Sequence, residues 1–228
     1  MAVQVRTASN VAASNSSTAG ASLAVSTYTG IQTRDLVLIF GIIGTDKTGT
    51  INTPVGYTKL VSRYYGGLTG SASTAVVYTH QYVAGDPDPS FTWTGAVNNG
   101  WTMRTCYSDL GQDLITGLVQ SIDDTGNNTT LTSSAITIPS ILSGGLAVVR
   151  TVFGANEAPE VPAGMTSWAT HLDGVPAIQS RISYFQSAGG NYTPADTTET
   201  ASATAMVDGF AVQEAGVTTP AIMTSRRR

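Results

Sequence analysis

Charge is what this sequence has least of. Of its 228 residues only 11% are charged; lysine occurs at Lys47 and Lys59 alone, histidine at His80 and His171, and cysteine only at Cys106. Ordinary globular domains are about a quarter charged, so something other than Lys and Glu keeps this chain in solution. Each scarcity excludes something. With a net charge of −4 and isolated arginines along its body, the chain lacks the clustered Lys and Arg that neutralise phosphates, and nucleic acid is not an expected partner. A lone cysteine makes no internal disulfide, and Cys106 reads as a small buried hydrophobe in a strand. The longest apolar stretch, Leu36 to Ile43, is about half of what spans a bilayer, so no membrane insertion is expected. The opening Met1-Ala2-Val3-Gln4-Val5-Arg6 is not the apolar run of a secretory signal, and export by the general route is not expected. No Gly-x-Ser-x-Gly elbow or His-Glu-x-x-His helix surrounds either histidine. No enzyme, no metal and no cofactor are implied.

What replaces charge is hydroxyl and amide. Ser and Thr make up about a quarter of the chain, the residues that clothe solvent-facing strands rather than helices. Apolar and β-branched runs recur at short spacing: Leu23 to Tyr28, Leu36 to Ile43, Thr58 to Tyr65, Ala75 to Val83, Phe91 to Thr94 and Trp101 to Tyr107. Turn chemistry separates them, as Gly44 to Gly49, Gly66-Gly67, Asp86-Pro87-Asp88-Pro89 and Asn98-Asn99-Gly100, because Gly, Asn and Pro supply the backbone angles of chain reversals. Asp123-Asp124-Thr125-Gly126-Asn127-Asn128 has the character of a joining loop.

An internal echo organises these elements. Thr53-Pro54-Val55-Gly56-Tyr57-Thr58 recurs as Val161-Pro162-Ala163-Gly164-Met165-Thr166, about half a chain later. Upstream of each copy stands an apolar run, Leu36 to Phe40 and Leu146 to Arg150. Downstream, Tyr82-Val83-Ala84-Gly85 answers Gln186-Ser187-Ala188-Gly189, and Thr102 to Tyr107 answers Ala205 to Phe210. The expected fold is all-β, an antiparallel, jelly-roll-like β-sandwich of two internally repeated β-units. The expected organisation is an N-terminal arm over 1–20, a first unit over 21–121, a second over 122–217 and a basic tail over 218–228. Two arrangements are open: each unit closes its own small sandwich, or both share one, and sharing is favoured because it buries more apolar surface per residue.

Candidate sites weigh little against plain structural roles. His80 follows Tyr78-Thr79 on an alternating run and is expected as a surface or satisfied residue. The carboxylate pairs Asp86/Asp88, Asp123/Asp124 and Glu157/Glu160 lie too close in sequence to flank a glycosidic bond from separate strands; turn chemistry explains them, and prolines at 87 and 89 oppose a calcium loop. Of the aromatics, Trp93 and most others belong to the core by alternation, while Tyr64, Tyr65 and Trp168 remain as candidates for stacking on a sugar. Arg226, Arg227 and Arg228 are the only concentrated charge, a solvated tail or a docking element for an acidic partner.

The first half resembles a known family. Arg34-Asp35 and the run Leu36 to Phe40, then Thr53-Pro54-Val55-Gly56-Tyr57-Thr58-Lys59-Leu60, then Ala75-Val76-Val77-Tyr78, Ala84-Gly85-Asp86-Pro87 and Phe91-Thr92-Trp93-Thr94 are similar to the "G-D-hydrophobic run, P-x-G-W-T" and following segments of tailed-bacteriophage virion proteins. Arg34 stands for the usual Gly, and Tyr57 for the usual Trp. The resemblance implies a non-enzymatic β-sandwich on the virion surface, assembled in the host cytoplasm. Its expected partners are other virion proteins, capsid or tail subunits, with a homo-oligomer and a host surface glycan as further expectations. Capsid decoration is the favoured role, since no coiled coil or collagen-like stalk marks a fibre; a minor tail or tail-fibre protein and a carbohydrate-binding module are the alternatives.

Overall fold

The structure, a computed structural model, describes residues 2–6, 13–16, 22–24, 30–44, 51–68, 71–93, 98–155, 157–174 and 177–215. The first half contributes β1 (Val3–Val5), β2 (Ala13–Ser16), β3 (Ser22–Ala24), β4 (Leu36–Gly44), β5 (Thr58–Leu68), β6 (Ser71–Gln81), β7 (Ser90–Thr92) and β8 (Asn98–Ser108). The second contributes β9 (Leu114–Leu131), β10 (Ile138–Ile141), β11 (Leu146–Phe153), β12 (Thr166–Gly174), β13 (Ala177–Gln186), β14 (Gly190–Tyr192) and β15 (Thr197–Glu214). A single 3-10 turn, Ser133–Ala135, is the only helical element among the described residues.

All pairings between these strands are antiparallel, and the fold is an all-β sandwich. One large sheet runs β1-β8-β4-β6-β5, with β2 also on β8; the other runs β9-β15-β11-β13-β12. The orders are the same once β9 is matched to β1 and β2. Even the small sheets correspond: β3 pairs with β7, as β10 pairs with β14. By strand topology the two units therefore run from Val3 to Ser108 and from Leu114 to Glu214. Within the stretch expected as an N-terminal arm, Val3–Val5 and Ala13–Ser16 pair with β8 as strands of the first sheet.

Leu36 to Ile43 and Leu146 to Phe153 are buried throughout. An alternating pattern is absent from both because both faces of each strand are covered, and the runs read as continuous apolar stretches. On the inner face Leu36, Leu38, Phe40, Val77 and Cys106 from one sheet pack with Leu146, Val148, Ile182, Phe210 and Val212 from the other in one cluster. Each such fully buried aliphatic or aromatic side chain contributes about 1.5–3 kcal/mol. On the outer face, Val37, Ile39 and Ile43 are covered by Phe91, Trp93 and Trp101. Ala147 and Val149 are covered in the same way by Ile136, Ile138 and Ile141. Trp101 lies so close over β4 that position 41 has no room for a side chain: a Cβ there would stand 2.6 Å from Trp101 Cε3 and 2.9 Å from Cη2. Gly41 is the residue that lets the indole seat.

The repeated Pro-x-Gly element makes the same turn twice. Tyr57 N–H donates to Pro54 O at 3.1 Å and Met165 N–H to Pro162 O at 3.0 Å, with Gly56 and Gly164 both at φ +83°. Only glycine takes that conformation freely.

Three loop expectations are overturned. Gly66-Gly67 lies in β5, at a register irregularity between Tyr65 and Leu68, where a bulge absorbs the flexible pair. Asn98-Asn99-Gly100 opens β8, paired with β4 on one side, Asn99 and Gly100 also with β2 on the other. Asp123 to Asn128 belongs to β9, whose long pairing with β15 accommodates the polar run through register shifts. In all three, tertiary pairing overrides local turn preference. The expected turn over Gly44 to Gly49 falls outside the described residues after Gly44.

Candidate functional site

Among the described residues, one end of the sandwich carries most of the loops that the repeats build. The register places the start of β4 beside the ends of β6 and β8 (Leu36 with Gln81 and Cys106), and the start of β11 beside the ends of β13 and β15 (Leu146 with Gln186 and Val212). Leu114 pairs with Glu214 at the same end. Hydrogen bonds tie the two sheets together there. Val3 N–H donates to Gly144 O at 2.8 Å, Gln186 Nε2 to Val3 O at 3.1 Å, and the Ser108 hydroxyl to the Glu214 carboxylate.

His80, near the end of β6, is the tie between two of these loops. Nδ1 stands 2.8 Å from Gly56 O and Nε2 2.7 Å from Asp86 Oδ2, while the ring packs on Tyr57 at 4.7 Å between centroids. The Asp86 carboxylate occupies Nε2, the nitrogen at which a Ser–His–Asp hydrolase would place its hydroxyl, and a backbone carbonyl occupies the other nitrogen. Asp86 also accepts Val83 N–H at 2.7 Å. That backbone bond first, and His80 second, hold the Asp86 carboxyl below its ordinary value. The Asp-Pro-Asp-Pro segment is thus a pinned turn, and among the described residues no group of three or more His, Cys, Asp or Glu is placed to hold a metal.

Neighbouring contacts are equally specific. Arg6 pairs with the buried Asp35 and lies 4.3 Å over the Tyr107 ring. Arg34 donates to Gly111 O at 2.7 Å and sits 3.4 Å from Asp113. Arg34 holds φ +78°, and Gly144, its counterpart before β11, holds +84°; both take the left-handed conformation that favours glycine.

The same end gathers exposed apolar side chains. Val55 at the tip of the Pro-x-Gly turn is fully exposed, and Val83, Leu110, Ile115 and Leu142 are also exposed. Gly56, His80 and Ile115 border one depression, and Val3, Leu142 and Glu214 border another. Sequence reading missed this set. A single apolar residue in a turn carries no periodic signal, and only the register shows that these five share one end.

The residues singled out from sequence are dispersed. Arg226, Arg227 and Arg228 lie outside the described residues, as does the side chain of Tyr65. Tyr64 is 37% exposed on the edge strand β5. Trp168 is partly buried against the inner cluster and meets Tyr184 edge-on at 5.7 Å. It lies on β12, which packs over β8, at the opposite edge of the first sheet from β5; Tyr64 and Trp168 do not form one platform. Trp93 and Trp101 are core residues at 4% and 0% exposure. At Glu157 and Glu160 the structure shows a loop held from β15. Glu157 accepts Ala201 N–H and the Thr200 hydroxyl, both at 2.6 Å, and the buried Glu199, unmarked in the sequence, accepts Glu160 N–H at 3.0 and 3.1 Å. Burial pushes the Glu199 carboxyl above its ordinary value.

Comparison with protein-family models, with curated proteins and with solved structures finds no match to this chain.

Proposed function

We propose that this protein is a non-enzymatic structural component of a tailed-bacteriophage virion, displayed on the particle surface as a capsid decoration or cement-type accessory. The observation that carries the reading is the duplicated sandwich itself, with chemically equipped groups spent on internal ties. His80 and Asp86 join loops, Glu157 and Glu199 hold a loop, and the Arg150–Asp208 pair is sealed between the sheets. Such a body is suited to covering a surface rather than to turnover. The sequence resemblance to virion proteins supplies the setting, and the motif that carries it, Pro54-Val55-Gly56, stands on the exposed end. A scaffold with no disulfide to form is compatible with assembly in a reducing cytoplasm.

The test is to locate labelled copies on purified particles by electron microscopy and count them. Copies distributed over the shell in proportion to capsid subunits are expected. A few copies at one vertex would transfer the protein to the tail, and absence from the particle would overturn the virion reading altogether.

A further inference from the structure

We infer that the loop-bearing end, centred on Val55, Val83, Leu110, Ile115 and Leu142, is the surface by which this protein seats on its neighbour, a protein with an apolar patch bordered by Lys and Arg. The inference rests on the virion reading and assigns the contact within it.

Three observations carry it. First, among the described residues six large apolar side chains are exposed, and only Tyr64 lies away from this end. Scattered apolar exposure is ordinary on any protein, whereas concentration on one face marks a contact. Second, the turn does not require an apolar tip. The same turn in the second unit carries Ala163 at the place of Val55, with the same glycine angle after it. Third, the loops are held before any partner arrives: Val83 by Asp86, Gly56 by His80, Leu110 by Ser108, and Leu142 by Gln213 at 2.9 Å. A pre-ordered face loses little conformational freedom on binding.

Charge selects the partner. Around the apolar set stand Asp86, Asp88 and Asp109, while the exposed Arg34 and Asp113 are paired with each other. An acidic border is complementary to a basic one and repels a second copy of itself.

The experiment uses full-length protein added back to particles purified without it, with sedimentation as the readout. Wild type is expected to bind, and Val55→Asp/Leu110→Asp to bind ~10-fold or more weakly, as for central apolar contacts. Asp88→Asn/Asp109→Asn is expected to bind a few-fold more weakly at low salt, with the difference shrinking as salt is raised. Tyr64→Asp, at the far end of β5, is expected to bind as wild type. Equal binding by wild type and Val55→Asp/Leu110→Asp, with matching thermal unfolding, overturns the inference and leaves the virion reading standing. Loss of binding in Tyr64→Asp instead also overturns it. Concentration-dependent self-association removed by Val55→Asp assigns the face to a second copy and overturns the stated partner. Failure of wild type to bind overturns the virion reading, and this inference with it.

Discussion

Arg150 and Asp208 lie opposite each other on β11 and β15, and their side chains form an ion pair with no solvent exposure on either member. Arg150 also reaches across the sandwich, donating from Nη1 to Val76 O at 2.9 Å and Gly41 O at 3.3 Å in the facing sheet. In the first unit the corresponding pair is Phe40 and Thr102, so the two inner faces are chemically distinct there despite their shared topology. A buried charge is tolerable only when its partners are complete, and here a carboxylate and two carbonyls complete it.

Removing one partner leaves the other stranded. Asp208→Ala is expected to cost about 3–5 kcal/mol, read as a lower urea midpoint at unchanged slope. The double replacement Arg150→Met/Asp208→Leu is expected to recover most of that loss, because it removes both charges and keeps the volume. A loss of under about 1 kcal/mol in Asp208→Ala would show that the pair is not closed to water.

Arg34 occupies a left-handed conformation that its counterpart Gly144 takes without strain. Its ion pair with Asp113 is exposed on both sides, and such pairs contribute little. Arg34→Gly is therefore expected to leave stability unchanged or raise it by up to about 1 kcal/mol. Thermal unfolding of the variant checks this, and a clear fall in the midpoint would assign the Gly111 and Asp113 contacts a larger share.

Cys106 sits in the inner cluster, and burial raises its thiol well above the ordinary value. Alkylation of the native protein is expected to proceed no faster than unfolding exposes the residue. Val212 stands at the corresponding place, each pairing with the first residue of its central strand. Cys106→Val is thus expected to cost less than about 1.5 kcal/mol. Rapid labelling without denaturant would contradict the burial.

Two carboxylates are expected to give opposite responses to acid. Asp86 is held below its ordinary value; its contribution is present above the unfolded-state value and is lost as pH falls through the lower folded one. Glu199 is raised by burial, so its contribution is present below the unfolded-state value and is lost as pH rises through the higher folded one. Melting temperature measured between about pH 3 and pH 6 should therefore fall less steeply on acidification in Asp86→Asn, and more steeply in Glu199→Gln. Parallel profiles in wild type and both variants would rule out this assignment.

Much of the architecture was legible without coordinates. Strand-forming composition, the doubled Pro-x-Gly turn and the two apolar runs before it are local features, and local features persist when side-chain period and turn geometry agree. They identify an all-β chain built twice in one order, with Trp93 and Cys106 inside. Polar runs such as Asp123 to Asn128 misled because turn propensity is weak beside a strand partner as long as β15.

The sequence alone determined the strand class, the repeat and the doubled Pro-x-Gly turn, because each is written within a few residues of itself. Only the tertiary structure decided that Arg150 would meet Asp208 and Val76, that Glu199 would hold the loop at Glu160, and that Val55, Val83, Leu110, Ile115 and Leu142 would share an end. Those outcomes depend on the register between strands far apart in the chain and on which faces the two sheets turn toward each other, and no short window of sequence contains either.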